Sequence, residues 1–124
     1  MRGLAFFCLA TAALYALAAM ALGIYMGATH DHVLAPAHAH INLVGWVTVA
    51  LYGFYYHAVP AAAGSLLAKI QVAAATVGVL LLGPGIALSV LGMTEGPAIL
   101  GSFIVIASML LFLVVVTQSR AKAA

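Results

Sequence analysis

Four long apolar stretches, separated by short polar segments, make up almost the whole of this 124-residue chain. They cover approximately residues 3–26, 36–58, 65–93 and 97–117. Each is close to or longer than the ~20 residues that a helix needs to cross the hydrocarbon of a bilayer. The runs are far longer than the ~10-residue alternating strands of membrane β-barrels. The pattern therefore predicts an all-α membrane protein, with residues 1–124 forming a single domain, a four-helix transmembrane bundle.

The composition and the placement of charge support this prediction and suggest an orientation. The chain is 67% hydrophobic and 5% charged, whereas soluble domains average about 25% charged residues. The basic residues and the acidic residues alternate between successive loops: Arg2, Lys69, Arg120 and Lys122 on one side, Asp31 and Glu95 on the other. By the positive-inside rule, both termini are expected in the cytoplasm of a bacterial-type cytoplasmic membrane, with residues 27–35 facing outward. Nothing in the charge pattern suggests a nucleic-acid partner.

Several kinds of chemistry are poorly supported by the sequence. It has no glycine-rich phosphate loop and no Ser-His-Asp constellation, and its two carboxylates lie in the predicted outer loops, so hydrolytic acid–base catalysis is not expected. Cys8 is the single cysteine, so the chain has neither an internal disulfide nor a Cys-x-x-Cys-His motif for covalent haem attachment. We predict no catalytic residue.

Histidines distinguish the second apolar stretch from the other three. It opens with His38 and His40 and ends with His57. Ionisable side chains inside a bilayer are costly and are functional candidates by default. At about 100° per residue, His38 and His40 point about 200° apart around a helix. They are therefore expected to serve two different sites, one on each flank of the helix, while His57 lies in an aromatic cluster typical of the membrane interface.

The two flanks of this predicted helix differ in character. The His38 face continues through Asn42, Gly45, Val49, Tyr52, Gly53 and Tyr56, and the His40 face through Val44, Val47, Leu51 and Phe54. The first face is small and polar enough for a close approach by a helix or a cofactor. We therefore predict that Asn42, Gly45 and Gly53 contact a cofactor whose metal is bound by His38 and His40.

The predicted outer loop offers additional ligands. His30, Asp31 and His32 are consecutive, and together with His38 and His40 they place five nitrogen or oxygen donors within eleven residues. Such donors suit copper or zinc. A copper or zinc site is therefore one candidate, and His30 and His32 are secondary candidate metal ligands.

The spacing in the second stretch resembles a known pattern. His38-x-His40-x-x-Leu43, followed by Gly53, His57 and Pro60, is similar to the tenth helix of subunit I of the haem-copper oxidases. The segment also resembles NnrS-type haem proteins of nitric-oxide metabolism, through His38-Ala39-His40, Leu43, Gly45 and Ala58-Val59-Pro60. His40-Ile41-Asn42-Leu43 is similar to the second helix of nitric oxide reductase large subunits. The match covers one helix of four.

This resemblance implies an assembly. In the oxidases the two histidines of that helix ligate two haems, one on each side, and subunit I has twelve helices in three arcs of four. A homotrimer of this four-helix chain would rebuild such a bundle, although a dimer is not excluded by the sequence. His38 of one copy and His40 of its neighbour would then hold one haem b at each interface. The oxidases' copper site needs further histidines on other helices, which this chain lacks, so oxygen reduction is not expected.

The sequence therefore leads to three hypotheses about the function of the protein. The favoured one is a membrane haem b protein with bis-histidine iron, carrying electrons or responding to redox state or nitric oxide, with quinol or a cytochrome c as electron partner. The second is the copper or zinc protein described above. The third is a structural small subunit of a larger respiratory complex, in which the histidines serve only packing.

Overall fold

The computed structural model describes residues 1–123, with side chains for residues 1–120, and consists of helices joined by short non-helical segments. Its elements are α1 (Gly3–Thr29), α2 (Ala35–His40), the π-helix π1 (Ile41–Val47), α3 (Thr48–Ala58), α4 (Pro60–Ala63), α5 (Leu66–Val90) and α6 (Gly96–Ala123). No strand occurs in this described part of the chain. The side chain of Lys122, one of the expected cytoplasmic charges, and Ala124, the end of the predicted domain, lie outside it.

Three of the described helices are long and apolar enough to cross a membrane: Gly3–Thr29, Leu66–Val90 and Gly96–Arg120. This supports the predicted helical, transmembrane character of the protein. The second predicted helix is divided among α2, π1 and α3, which follow one another without interruption. We call residues 35–58 the histidine segment.

The observed helices differ slightly in length from the predicted stretches. The first extends to Thr29, three residues beyond the expected end, and His30 then stops it in a left-handed conformation (φ 55°). The third begins after Ser65, whose hydroxyl accepts a hydrogen bond from the backbone N–H of Ala68 (3.1 Å). It contains Pro84 and ends at Val90, three residues early. The fourth begins at Gly96 and continues to Ala123.

Glycines allow the helices to approach closely in two pairs. In the first pair, α1 packs against π1 and α3; in the second, α5 packs along α6. A Cβ atom at Gly101 of α6 would lie 2.6 Å from the backbone nitrogen of Leu82 in α5, and one at Gly78 would lie 2.8 Å from a methyl of Val105. Larger residues at these two positions would force α5 and α6 apart, because close packing of membrane helices depends on small residues.

A buried polar network joins the histidine segment to the α5–α6 pair. The Tyr56 hydroxyl donates to the side-chain oxygen of Gln71 (2.8 Å). The Gln71 amide donates to Ser108 Oγ (3.0 Å), and Ser108 Oγ donates back to the Gln71 backbone carbonyl (3.0 Å). All three residues are at most 1% exposed. Because buried polar groups are costly when unpaired, this network favours one arrangement of α3, α5 and α6 and so fixes where the histidine segment lies.

Candidate functional site

His38 lies between the histidine segment and α1. Its side chain is partly buried, and its Nδ1 is 2.8 Å from the backbone carbonyl oxygen of Ala19 in α1. Gly23, one turn further along α1, makes room for the ring, since a Cβ there would lie 3.0 Å from His38 Cε1. The first helix therefore fixes the orientation of this imidazole.

The hydrogen bonds of His38 determine which ring nitrogen carries the proton. A carbonyl oxygen can only accept, so Nδ1 carries the hydrogen and donates to Ala19. The other nitrogen, Nε2, is then an unprotonated acceptor, and the side-chain amide nitrogen of Asn42 lies 3.4 Å from it. A ligating histidine commonly has this arrangement, with one nitrogen held by a carbonyl and the other free for a metal.

His40 has the same tautomer by a different route. Its Nδ1 is 2.8 Å from the backbone carbonyl oxygen of Pro36, four residues earlier in the same helix. Nδ1–H therefore donates to that carbonyl, and in the neutral ring Nε2 is the nitrogen without a hydrogen. The side chain is exposed and lies on a different flank of the segment from His38. The predicted divergence of the two imidazoles is thus present, and each ring is oriented by a backbone carbonyl.

His40 stands in an open groove, which we call the His40 groove, of about 400 Å³. One wall is the histidine segment, with His40, Val44, Thr48 and Tyr52. The other walls come from Leu82 and Ile86 of α5, and from Ser102, Val105, Ile106 and Met109 of α6. The Tyr52 hydroxyl donates to Met109 Sδ at 3.8 Å. The groove is mostly apolar with a few polar groups, which is the usual character of a cofactor site of this size.

The π-helix begins immediately after His40 and changes the faces of the segment. The Thr48 hydroxyl donates to the carbonyl of Leu43, five residues earlier (2.7 Å), and the Thr48 backbone N–H is directed at the same carbonyl. A π-helix has more residues per turn than an α-helix, so the steady 100° step does not hold across residues 41–47. Placing Tyr52 on the His38 face was therefore wrong, since the structure aligns it with His40. Isolated π-turns are frequent at functional sites.

Two of the predicted cofactor contacts lie against α1. A Cβ atom at Gly45 would lie 3.1 Å from Tyr15 Cβ, and one at Gly53 would lie 3.0 Å from Leu9 Cγ. Both glycines are buried within one chain, where they allow α1 to pack closely on the histidine segment. Asn42, by contrast, remains next to His38.

The remaining histidines are exposed and lie outside the helix that carries His38 and His40. His30 and His32 are in the loop after α1, and His57 is near the end of α3. Asp31 accepts a hydrogen bond from the backbone N–H of Val33 (3.1 Å). Within the residues that the structure describes, no group of three or more His, Cys, Asp or Glu side chains is placed to hold a metal ion. The five donors of the copper or zinc alternative are therefore not brought together in a single chain.

Sequence reasoning missed the residues that orient and surround the imidazoles. Ala19 and Pro36 act through backbone carbonyls, which leave no signal in the side-chain pattern. Gly23 interrupts an alanine-rich stretch, and Thr48 and Ser102 interrupt apolar ones. These interruptions were the available clues.

Comparisons of this chain with models of protein families, with curated proteins and with solved structures find no match.

Proposed function

We propose that the protein is a membrane haem b protein that transfers single electrons, with each iron held by His38 of one copy and His40 of a neighbouring copy. The observation that carries this proposal is that the two imidazoles make the same kind of hydrogen bond. Both use Nδ1–H to donate to a backbone carbonyl at 2.8 Å, so in the neutral form of each ring Nε2 is the nitrogen available to a metal. A bis-histidine haem requires two such nitrogens.

The separation of the two rings supports sharing between copies. Within one chain, Nε2 of His38 lies at the α1 flank and His40 opens into the groove formed with α5 and α6. The two rings lie on different flanks of one helical segment, so His38 and His40 of a single chain would not hold the same iron. Two copies arranged head to tail would bring one of each together, as a cyclic assembly requires.

The residues present fit a haem of this kind. The His40 groove gives an apolar wall on α5 and α6 and is open on its outer side, where the next copy would close it. Asn42 would give up its weak contact with His38 Nε2 when that nitrogen bound iron. Bound haem would supply one-electron chemistry, and filling both axial positions favours electron transfer over gas binding.

Membrane topology and assembly form part of the proposal. The 24 residues of the histidine segment are about 35 Å long, which is enough for a fourth membrane span. Four spans would place both termini in the cytoplasm, on the side of Arg2, Lys69 and Arg120. Three copies would then form a twelve-helix bundle with three equivalent haem sites, near the outer leaflet of a bacterial-type cytoplasmic membrane.

Absorption spectroscopy of the detergent-purified protein tests the proposed function. We expect a Soret band that shifts on reduction with dithionite, and one haem per chain, because a closed ring has as many interfaces as copies. The reduced protein should not change its spectrum rapidly under carbon monoxide, since both axial positions are filled. A colourless protein containing stoichiometric copper or zinc would contradict the proposal, as would one that gains neither haem nor metal when expressed with haem in excess.

A substitution at Gly23 tests the role of α1 in orienting His38. In Gly23→Val the new side chain would meet the imidazole, so the ring must turn and its hydrogen bond to Ala19 must weaken. Disturbing such an orienting contact typically costs 10–100-fold in metal affinity, and we expect haem affinity to fall by about tenfold, measured by haem titration of the apoprotein.

Gly27→Val is the matched control, because it lies in the same helix and a Cβ atom there meets nothing within 4 Å. It should bind haem as the wild type does. Equal losses in the two variants would show that a glycine in this part of α1 matters for folding and not for His38.

A further inference from the structure

A separate groove lies between α1 and α5, and we call it the α1–α5 groove. It has a volume of about 420 Å³, and its apolar lining consists of Leu4 and Phe7 of α1 and Val72, Ala73 and Val77 of α5. The other two lining residues are Thr76 and Lys69. The Thr76 hydroxyl already donates to the backbone carbonyl of Val72 (2.9 Å). The Lys69 ammonium is therefore the polar group that the groove offers to a ligand.

Basic side chains collect at one end of this groove. Leu4 also lines an adjoining open basin of about 520 Å³, whose lining includes Arg2 and His57. Arg2 immediately precedes α1, and Lys69 lies in the first turns of α5. The two acidic residues of the chain follow the opposite ends of the same helices, since Asp31 comes after α1 and Glu95 after α5. No carboxylate therefore lines either the groove or the basin.

Arg2 and Lys69 lie near the N-terminal ends of α1 and α5, where the helix dipole is unfavourable for a positive charge. The N-terminal end of a helix carries partial positive charge, which stabilises nearby anions and destabilises nearby cations. Neither α1 nor α5 has an acidic residue in its first turn. An anionic group bound between Arg2 and Lys69 would neutralise both.

We propose that the α1–α5 groove binds an anionic phospholipid, with its phosphate between Lys69 and Arg2 and one acyl chain along Phe7, Val72 and Val77. An apolar channel between membrane helices suits an acyl chain, and a basic end on the same side as the Arg120 end of α6 suits an anionic headgroup of that leaflet. Basic pockets between membrane helices are known to recognise such headgroups. This inference does not depend on haem, and either proposal can fail without the other.

Native mass spectrometry of the full-length, detergent-purified protein tests the headgroup. Palmitoyl-oleoyl phosphatidylglycerol is compared with the phosphatidylcholine of the same chains. We expect phosphatidylglycerol to be retained preferentially, and each of Lys69→Gln and Arg2→Gln to weaken its binding about fivefold, as expected for one basic side chain near an anionic headgroup. Lys69→Arg keeps the charge and should retain binding, which separates loss of the site from misfolding.

Arg120→Gln is the matched control, because Arg120 is an exposed basic residue at the end of α6 that lines neither the groove nor the basin. It should bind phosphatidylglycerol as the wild type does. An equal loss in Arg120→Gln would mean that only the overall positive charge matters and would overturn the proposal. Equal retention of the two lipids by the wild type would also overturn it.

A third variant tests the groove itself. Ala73 is exposed and lines the groove, so Ala73→Phe should fill it. We expect weaker binding of phosphatidylglycerol with the number of chains per particle unchanged. If Ala73→Phe instead dissociates the assembly in lipid-free detergent, the groove is occupied by a second copy of the chain and the lipid proposal is wrong.

Discussion

Replacing either His38 or His40 by alanine is expected to abolish the six-coordinate haem spectrum at every site of the assembly. Each proposed iron uses one histidine of each kind, so one substitution removes one of the two axial ligands from all sites. Even residues that only orient a metal ligand contribute 10–100-fold to affinity, so losing the ligand itself should lower haem affinity on the order of 100-fold or more. Haem per chain and the dithionite-reduced spectrum, measured after purification in detergent, give the result.

His57→Ala serves as the control for these two substitutions. His57 is exposed and lines the basin beside Arg2, at the end of the histidine segment away from His38 and His40, so its removal should leave the spectrum unchanged. Added imidazole should restore a six-coordinate spectrum to His40→Ala, because that side chain opens into a groove that a small ligand can enter. If His38→Ala keeps the wild-type spectrum, His38 is not a ligand and the shared site is wrong.

The general architecture could be predicted from the sequence because it depends on long-range composition. The apolar stretches predicted three helices of membrane-spanning length and one helical segment near their observed positions. The ends were less accurate, since local contacts decide them. The Thr29 hydroxyl donates to the carbonyl of Tyr25 (2.8 Å) inside the last turn of α1, and His30 then adopts the left-handed conformation that ends the helix.

The candidate site could be predicted only in part. The opposite directions of His38 and His40 follow from two residues of ordinary helix, and the structure agrees because both lie in α2. Beyond His40 the prediction assumed the same geometry, and the π-helix over Ile41–Val47 moved Tyr52 to the other flank. Nothing in this apolar run distinguishes a π-helix from an α-helix, except that Thr48 offers a hydroxyl to the carbonyl five residues before it.

The glycines illustrate a second limit of sequence reasoning. A glycine in the sequence indicates that another group packs closely at that position, but it does not show whether that group is a helix or a cofactor. Gly45 and Gly53 were expected to face a cofactor, and in the structure Tyr15 and Leu9 of α1 approach them instead. Gly23 approaches the site directly, yet it lies in a different helix from the histidines, so only the folded chain connects it with His38.

Each iron is proposed to be shared between copies. The second large effect is therefore expected in the haem content of assemblies that combine two variants, each lacking one of the two histidines. One variant lacks His38 and keeps His40; the other lacks His40 and keeps His38. They carry different affinity tags and are expressed together, and assemblies containing both are isolated by two successive purifications. Alone, neither variant can form a bis-histidine site.

Mixed assemblies should regain haem in a proportion that depends on their size. In a head-to-tail ring, an interface has both haem ligands only where a copy that keeps His38 is followed by a copy that keeps His40. Every mixed trimer contains one such interface among three, so about one third of the wild-type haem per chain should return. A mixed dimer would contain one among two and should regain about one half.

Haem content per chain of the doubly purified mixture is thus the most direct measurement. We expect a six-coordinate haem spectrum with about one third of the wild-type haem per chain, and almost no haem in either variant purified alone. Mixed assemblies that contain both chains in similar amounts but no haem would contradict it, because they would show that His38 and His40 of different copies do not meet at one iron.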